Sequence, residues 1–185
     1  MALGGLQTAR RPAGARTSLG RDVAAGALAG AAGTVAMDLL LYSRYRRDGG
    51  KDSLRQWEFA DDVLSWDEAS APGQVGKKLE QLVTRQAPPE SWARTTTNVV
   101  HWATGIGWGI QYGARAAPPG RHPWIRALAL GPAAWLSSYA VLPLAKVYKP
   151  IWEYDAPTLA KDLSAHLVFG TVTSAAFAAL SRGNS

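Results

Sequence analysis

Three ionisable side chains lie inside otherwise apolar stretches of this chain and a fourth directly precedes such a stretch, and charged groups in these places are costly and often mark a function. They are Asp38, His101, Asp162 and His166. Histidine changes its charge near neutral pH, and a neighbouring carboxylate stabilises the charged imidazole. Asp162 and His166 are four residues apart, so they meet on one face of a helix. This chemistry predicts a site that binds or responds to protons or cations.

Small residues recur every four positions in the same stretches. The three repeats are Gly26, Gly30, Thr34, Asp38; His101, Gly105, Gly109, Gly113; and Asp162, His166, Gly170, Ser174, Ala178. No hydrophobic effect drives helices together inside a bilayer, and small residues at this spacing let two helix backbones approach closely. The repeats therefore predict these helix-packing positions: Gly26, Gly30, Gly105, Gly109, Gly113, Gly170 and Ser174.

The elements that position these residues are four apolar stretches, each close to the ~20 residues that cross ~30 Å of hydrocarbon. Their predicted bounds are residues 23–43, 95–114, 127–145 and 163–181. Pro132 and Pro143 fall inside the third stretch, and membrane helices tolerate such prolines. The sequence thus predicts an all-α fold, an integral membrane bundle of four transmembrane helices.

The remaining residues form a tail and a link. Residues 1–20 are rich in glycine, alanine and arginine, and we expect a mobile basic tail before a single four-helix membrane domain over residues 21–185. Residues 45–94 are a long, partly helical link in which Val75, Leu79, Leu82 and Val83 share one helical face. That apolar face either lies on the lipid headgroups or packs against the end of the bundle.

The order of the spans predicts where the polar residues meet. Spans two and four begin on the side where span one ends, so Asp38, His101 and His166 lie at one end of the bundle at similar depth. The same end receives four further polar residues: Asn98, Glu153, Asp155 and Asp162. Two interpretations stay open, namely an ion- or proton-binding vestibule and a set of hydrogen bonds that holds neighbouring helices in register.

Composition narrows the classes of partner. The 185 residues carry a net charge of +6 and no cysteine, which excludes disulfides, thiolate catalysis and cysteine-bound metals. The arginines flank apolar stretches and no nucleic-acid-binding motif is present, so we expect a lipid bilayer and not nucleic acid. The mean hydropathy of -0.10 is low for a membrane protein and leaves a soluble helical bundle as an alternative. A cleaved signal peptide is a second alternative for the first span.

Catalysis finds little support in the sequence. Two histidines at equal depth could ligate a haem or join carboxylates at a metal, but structural histidines are commoner in membranes. Ser137 and Ser138 have no base at helical spacing, and the Gly105-x-Gly107-x-Gly109 run lies inside an apolar span, unlike a phosphate-binding loop. We therefore predict no enzyme, no catalytic residue, no cofactor and no metal.

From His101 onward the chain carries several motifs that together are typical of one family: His101-Trp102, Gly109, Tyr112, Leu142-Pro143-Leu144, the stretch Lys149-Pro150-Ile151-Trp152-Glu153-Tyr154-Asp155, and Ala165-His166-Leu167-Val168. These motifs give the chain a resemblance to the YagU-like family of bacterial inner-membrane proteins and related multi-pass proteins of actinobacteria. The resemblance implies a multi-pass helical protein of the cell's inner membrane. The family brings no established activity, ligand or catalytic residue to carry over.

Two functions follow from these observations. The first is an accessory, interaction or stress-response component that self-associates through its glycine faces or binds another membrane protein. The alternative is a small oligomeric transporter or channel that responds to protons or ions through Asp38, His101 and His166.

Overall fold

The computed structural model describes residues 13–115 and 123–182, and every regular element in these two ranges is a helix. Six α-helices run in the order α1 (Ala13–Arg47), α2 (Leu54–Glu58), α3 (Ala71–Thr84), α4 (Ala93–Ala114), α5 (Pro123–Leu144) and α6 (Ala156–Arg182). Short 3₁₀ turns, Glu90–Trp92 and Ile151–Glu153, precede α4 and α6. The predicted all-α bundle is confirmed.

Three of the described segments are long and apolar enough to cross a membrane, namely Leu19–Arg47, Ile125–Leu144 and Ala156–Arg182. They indicate a membrane protein. The predicted second span corresponds to α4, which has 22 residues but is not among the three. Three consecutive threonines, Asn98 and Gln111 make this helix less hydrophobic than the three apolar segments.

Two of the long helices begin earlier than the apolar stretches predict. α1 begins at Ala13 and not at residue 23, and α6 begins at Ala156 and not at residue 163. The predicted tail of residues 1–20 is corrected accordingly, since residues 13–20 are helical and residues 1–12 lie outside the described residues. Alanine and arginine favour helix, so a helix continues past the end of its apolar stretch into polar sequence.

The central helix of the bundle is α1. It packs against α4 on one side and α6 on the other, while α3 packs on α4 and α5 packs on α6. Large apolar side chains point outward from all four long helices, with Leu28 63%, Val99 60%, Leu128 66% and Leu167 43% exposed. Apolar surface of this extent normally has a covering partner, and for helices of this length the bilayer is the natural one.

The link between α1 and α4 has a small core of its own. Trp66 is only 1% exposed there and packs with Val63, Ala69 and Ala93. Its indole N–H donates to the carbonyl oxygen of Pro88 at 3.1 Å. This bond ties the middle of the link to the residues that lead into α4.

The amphipathic helix α3 contacts the bundle through its glycines and not through its apolar face. A Cβ added to Gly76 would lie 3.0 Å from Cγ2 of Val100 on α4. The apolar face points away from α4, with Leu79 56%, Leu82 77% and Val83 83% exposed. α3 thus packs on the bundle through its glycines, and the described part of the chain leaves its apolar face uncovered.

Candidate functional site

A stripe of small residues holds α1 and α4 together in antiparallel order. Gly26 faces Gly113 and Gly109, and Gly30 faces Gly109 and Gly105. A Cβ added to Gly30 would lie 2.6 Å from the Gly105 carbonyl oxygen and 3.0 Å from the Gly109 Cα atom. Because both neighbours are backbone atoms, no larger residue fits without separating the helices.

The stripe continues into a polar pair. One turn beyond Gly30, Thr34 faces Gly105, and after one more turn Asp38 meets His101. The imidazole Nε2 of His101 donates to Oδ2 of Asp38 at 2.9 Å, although the two residues are 63 positions apart in the chain. The Asp38 side chain is only 5% exposed and that of His101 is 29% exposed. The structure therefore brings two of the three predicted central residues into direct contact.

A third ligand-type side chain, Glu58 at the end of α2, completes this cluster. One side-chain atom each of Asp38, Glu58 and His101 lies within 4.8 Å of the other two. Oε1 of Glu58 is buried and has no hydrogen-bond partner. Burial and the nearby Asp38 carboxylate raise the pKa of Glu58, and His101 partly opposes this shift. Two carboxylates and one imidazole thus converge where α1, α2 and α4 meet.

The chain turns sharply after α1 to carry Glu58 to this position. Gly49 adopts a φ of 95°, which glycine reaches without strain. Ser53 then begins α2 with a capping box, in which the backbone N–H of Gln56 donates to Ser53 Oγ and the backbone N–H of Ser53 donates to Gln56 Oε1. The cap makes α2 a defined helix despite its five residues.

The neighbours of Glu58 in the chain are held on both sides. The ring of Trp57 packs on Tyr42 of α1 with centroids 5.6 Å apart. The carbonyl oxygen of Phe59 accepts hydrogen bonds from Asn98 Nδ2 at 2.9 Å and from Arg94 Nε at 3.2 Å, both on α4. The Glu58 side chain is therefore anchored to α1 by the residue before it and to α4 by the residue after it.

Glu58 was not among the residues predicted from the sequence. It lies in a helix of one and a half turns, too short to show hydrophobic periodicity, and 20 positions beyond Asp38. The available signal was the Ser53-x-x-Gln56 capping box, which marks a helix start directly before it. The position of that helix over α1 depends on tertiary contacts that no local pattern encodes.

His166 does not join the first cluster and contacts Asp162 on its own helix. Nδ1 of His166 donates to the Asp162 backbone oxygen at 3.0 Å and lies 3.5 Å from Oδ1 of the same residue. Tyr139 and Trp135 of α5 face the Asp162 carboxylate. The structure therefore holds two separate aspartate and histidine pairs, one between helices and one within a helix.

The other predicted polar residues have positions of their own. Asn98 anchors the link through Phe59, as described above. Asp155 caps the start of α6, where its Oδ1 accepts the backbone N–H of Thr158 at 2.7 Å. This hydrogen bond lowers the pKa of Asp155. Glu153 belongs to a 3₁₀ turn, in which its N–H donates to the Pro150 oxygen at 2.9 Å.

The predicted packing residues of α6 lie against α5. A Cβ added to Gly170 would lie 2.8 Å from the Cα atom of Gly131. Ser174 Oγ donates to the Gly170 carbonyl oxygen at 2.7 Å and also lies 3.4 Å from the Ala127 carbonyl oxygen. The small residues of α6 thus give close contact with α5, as those of α4 do with α1.

No family model, curated protein or solved structure matches this chain. The resemblance to the YagU-like family consequently stays a prediction. The site is therefore described by its geometry alone. The buried Asp38 is bonded to His101 across two helices, and the unpartnered Oε1 of Glu58 lies beside them.

Proposed function

We propose that this protein is a multi-pass membrane protein that responds to a cation at the end of its helical bundle. The observation that carries the proposal is the Asp38 and His101 pair, in which a carboxylate with a 5% exposed side chain is bonded to an imidazole at 2.9 Å. A buried carboxylate needs a positive partner, and one imidazole shared through a single hydrogen bond supplies only part of that charge. A bound cation would supply the remainder.

We infer that α4 is embedded together with the three more apolar helices. Its 22 residues are long enough to cross hydrocarbon, and its glycines pack along α1 over several turns. Its polar residues Thr97 and His101 face α3 and α1 and do not point outward. A helix packed in this way needs less hydrophobicity of its own, because protein covers part of its polar surface. The resemblance to the YagU-like family favours a bacterial inner membrane.

We infer that the role is non-enzymatic and accessory, and that α1 and α4 do not line a channel within one chain. Their backbones touch at Gly30 and Gly109, which leaves no space between these two helices for an ion. The sequence predicts self-association through these same glycines, but in the structure they contact each other within one chain. A partner or a second copy would instead contact the exposed apolar side chains.

We also infer that α3 lies at the lipid headgroups. It packs beside the first turns of α4, and its exposed Leu82 and Val83 form an apolar face next to the boundary of that helix. Lys78 and Arg85 lie off this face and favour anionic headgroups. Substituting Leu82 by Ser would weaken the contact with lipid without touching the α3–α4 interface.

Two measurements test the proposed function. The full chain should remain in the membrane fraction after alkaline extraction, and recovery from the aqueous fraction without detergent would refute membrane residence. The purified protein in detergent should melt at a higher temperature with one of Na⁺, Mg²⁺, Mn²⁺ or Zn²⁺. We expect Asp38→Asn to remove that shift and Asp162→Asn to retain it, and a shift absent from the wild type would contradict a cation-responsive role.

Transport is tested separately in proteoliposomes. We expect no ion or proton flux that differs between the wild type, His101→Ala and His166→Ala. A flux that depends on His101 would replace the accessory role by transport and would leave cation binding at this site in place.

A further inference from the structure

We propose that Asp38, Glu58 and His101 bind one divalent first-row transition metal ion such as Zn²⁺ or Mn²⁺. This inference rests on the proposed cation-responsive function and names the class of cation. It also assigns Glu58 as the third protein ligand, which links the bundle to α2.

The distances suit a small metal ion. Ligand atoms bonded to Zn²⁺ at about 2.1 Å in a tetrahedral arrangement lie about 3.4 Å from one another. The three ligand-type atoms lie within 4.8 Å of one another, and His101 Nε2 lies 2.9 Å from Asp38 Oδ2. A metal ion therefore needs only side-chain adjustments of about 1 Å or less, which rotamer changes provide without moving a helix.

The charges also suit a divalent ion. Asp38 is 3% exposed as a residue, and a second carboxylate, that of Glu58, lies beside it. Two like charges in a poorly solvated site repel each other, and a divalent cation would neutralise both. The buried Oε1 of Glu58, which lacks a hydrogen-bond partner, supplies an oxygen whose coordination is unsatisfied.

The donor set selects the class of metal. One imidazole nitrogen and two carboxylate oxygens suit Zn²⁺, Mn²⁺, Fe²⁺ and Co²⁺. Ca²⁺ and Mg²⁺ instead prefer six or more oxygen ligands without nitrogen. Three protein ligands leave a fourth position for water or for a group from a partner, which favours an exchangeable ion over a permanently closed structural site.

Coordination replaces the hydrogen bond between His101 and Asp38. The imidazole nitrogen must present its lone pair to the metal, so the proton on Nε2 moves to Nδ1 or leaves to solvent. The metal would then be bonded to Asp38 of α1, Glu58 of α2 and His101 of α4 at the same time. Metal binding would therefore attach the link to the bundle through Glu58, which the hydrogen bond between Asp38 and His101 does not do.

The experiment uses the full chain in detergent after treatment with chelator, with Co²⁺ as a spectroscopic probe and Zn²⁺ as competitor. We expect one Co²⁺ per chain, visible absorption bands of four-coordinate Co²⁺, and displacement by Zn²⁺. Glu58→Gln, which preserves side-chain shape, should weaken binding by at least about tenfold. Asp38→Asn and His101→Ala should abolish it.

The matched controls are Asp162→Asn and His166→Ala, which remove the second pair from the same bundle and should bind Co²⁺ as the wild type does. Glu68→Gln controls for loss of a negative charge elsewhere in the link. The proposal is overturned if the wild type binds no Co²⁺, if Glu58→Gln binds as tightly as the wild type, or if the controls weaken binding equally. Stabilisation by Na⁺ or Mg²⁺ without Co²⁺ binding would overturn this inference alone, whereas no stabilisation by any cation would remove the proposed function as well.

Discussion

The two aspartate and histidine pairs of this protein use the same side chains in different ways. Asp38 and His101 come from two helices and meet only when α1 and α4 pack, with the aspartate side chain 5% exposed. Asp162 and His166 are one turn apart on α6, and their aspartate side chain is 28% exposed. The first pair thus forms only when α1 and α4 are packed together, whereas the second pair forms whenever α6 is helical. Identical residue types do not imply identical roles.

The largest expected difference concerns the packing beneath the first pair. Replacing Gly109 by Leu should prevent close approach of α1 and α4, because the new side chain would meet the backbone of Gly26 and Gly30. We expect a loss of about 3 kcal/mol or more of unfolding free energy, measured by denaturant titration in detergent. Gly107 lies on the same helix with nothing within 4 Å of an added Cβ, so Gly107→Leu is the control. Equal losses for both variants would contradict the described interface.

The next largest effect should come from metal. If the first cluster binds Zn²⁺, a free concentration one hundredfold above the dissociation constant stabilises the fold by about 2.7 kcal/mol. Chelator should remove this gain in the wild type and in Asp162→Asn, and the gain in Glu58→Gln should be smaller by about 1.3 kcal/mol or more at the same zinc concentration. Differential scanning fluorimetry with and without chelator measures it. A zinc-dependent gain in Glu58→Gln as large as that of the wild type would show that the metal binds outside the cluster of Asp38, Glu58 and His101.

A smaller difference is expected in the coupling within each pair. A double-mutant cycle of Asp38→Asn and His101→Ala, in chelator, should give a coupling free energy of about 1–2 kcal/mol. The same cycle on Asp162 and His166 should give about 0.5 kcal/mol or less, since it is an i, i+4 contact. Larger coupling in the second pair would reverse the comparison.

The smallest expected effect is a pH dependence of the first turn of α6, the helix that carries the second pair. The hydrogen bond from Thr158 lowers the pKa of Asp155, so its contribution to stability is present above the unfolded pKa and is lost as the pH falls through the folded pKa. We expect amide exchange in the first turn of α6 to increase in the wild type at acidic pH, beyond the intrinsic change. Asp155→Asn can still cap the helix but cannot titrate, so it should not show this increase. Hydrogen exchange with mass spectrometry, comparing both proteins at each pH, tests this.

Much of the fold could be predicted from the sequence, because a long apolar stretch is typical of a membrane helix. The stripe from Gly26 to Asp38 and that from His101 to Gly113 were also readable, since small residues at every fourth position have few other uses. Antiparallel order places Asp38 and His101 at the same end of the bundle, and helix packing brings them into contact. The intrahelical contact of His166 follows from its spacing to Asp162.

Other features required three-dimensional information. Glu58 reaches the cluster through a turn at Gly49, a five-residue helix and aromatic contacts with α1, none of which produces a long periodic pattern. The separation of His166 from the first pair depends on how α6 is rotated about its axis. Asp162 and Ser174 of α6 face α5. On its other side α6 contacts Gly33 of α1 through Phe169 and Thr173. The sequence indicates which end a residue lies at, and packing decides which neighbour it has.

The stripe between α1 and α4 has one more consequence. If α1 slid along α4 by four residues, about 6 Å, Gly26 and Gly30 would still meet glycines, and the helices would come equally close. Asp38 would then face Thr97, and His101 would face Thr34. The glycines therefore do not distinguish this displaced alignment from the native one, whereas the bond between the Asp38 carboxylate and the His101 imidazole exists only in the native alignment.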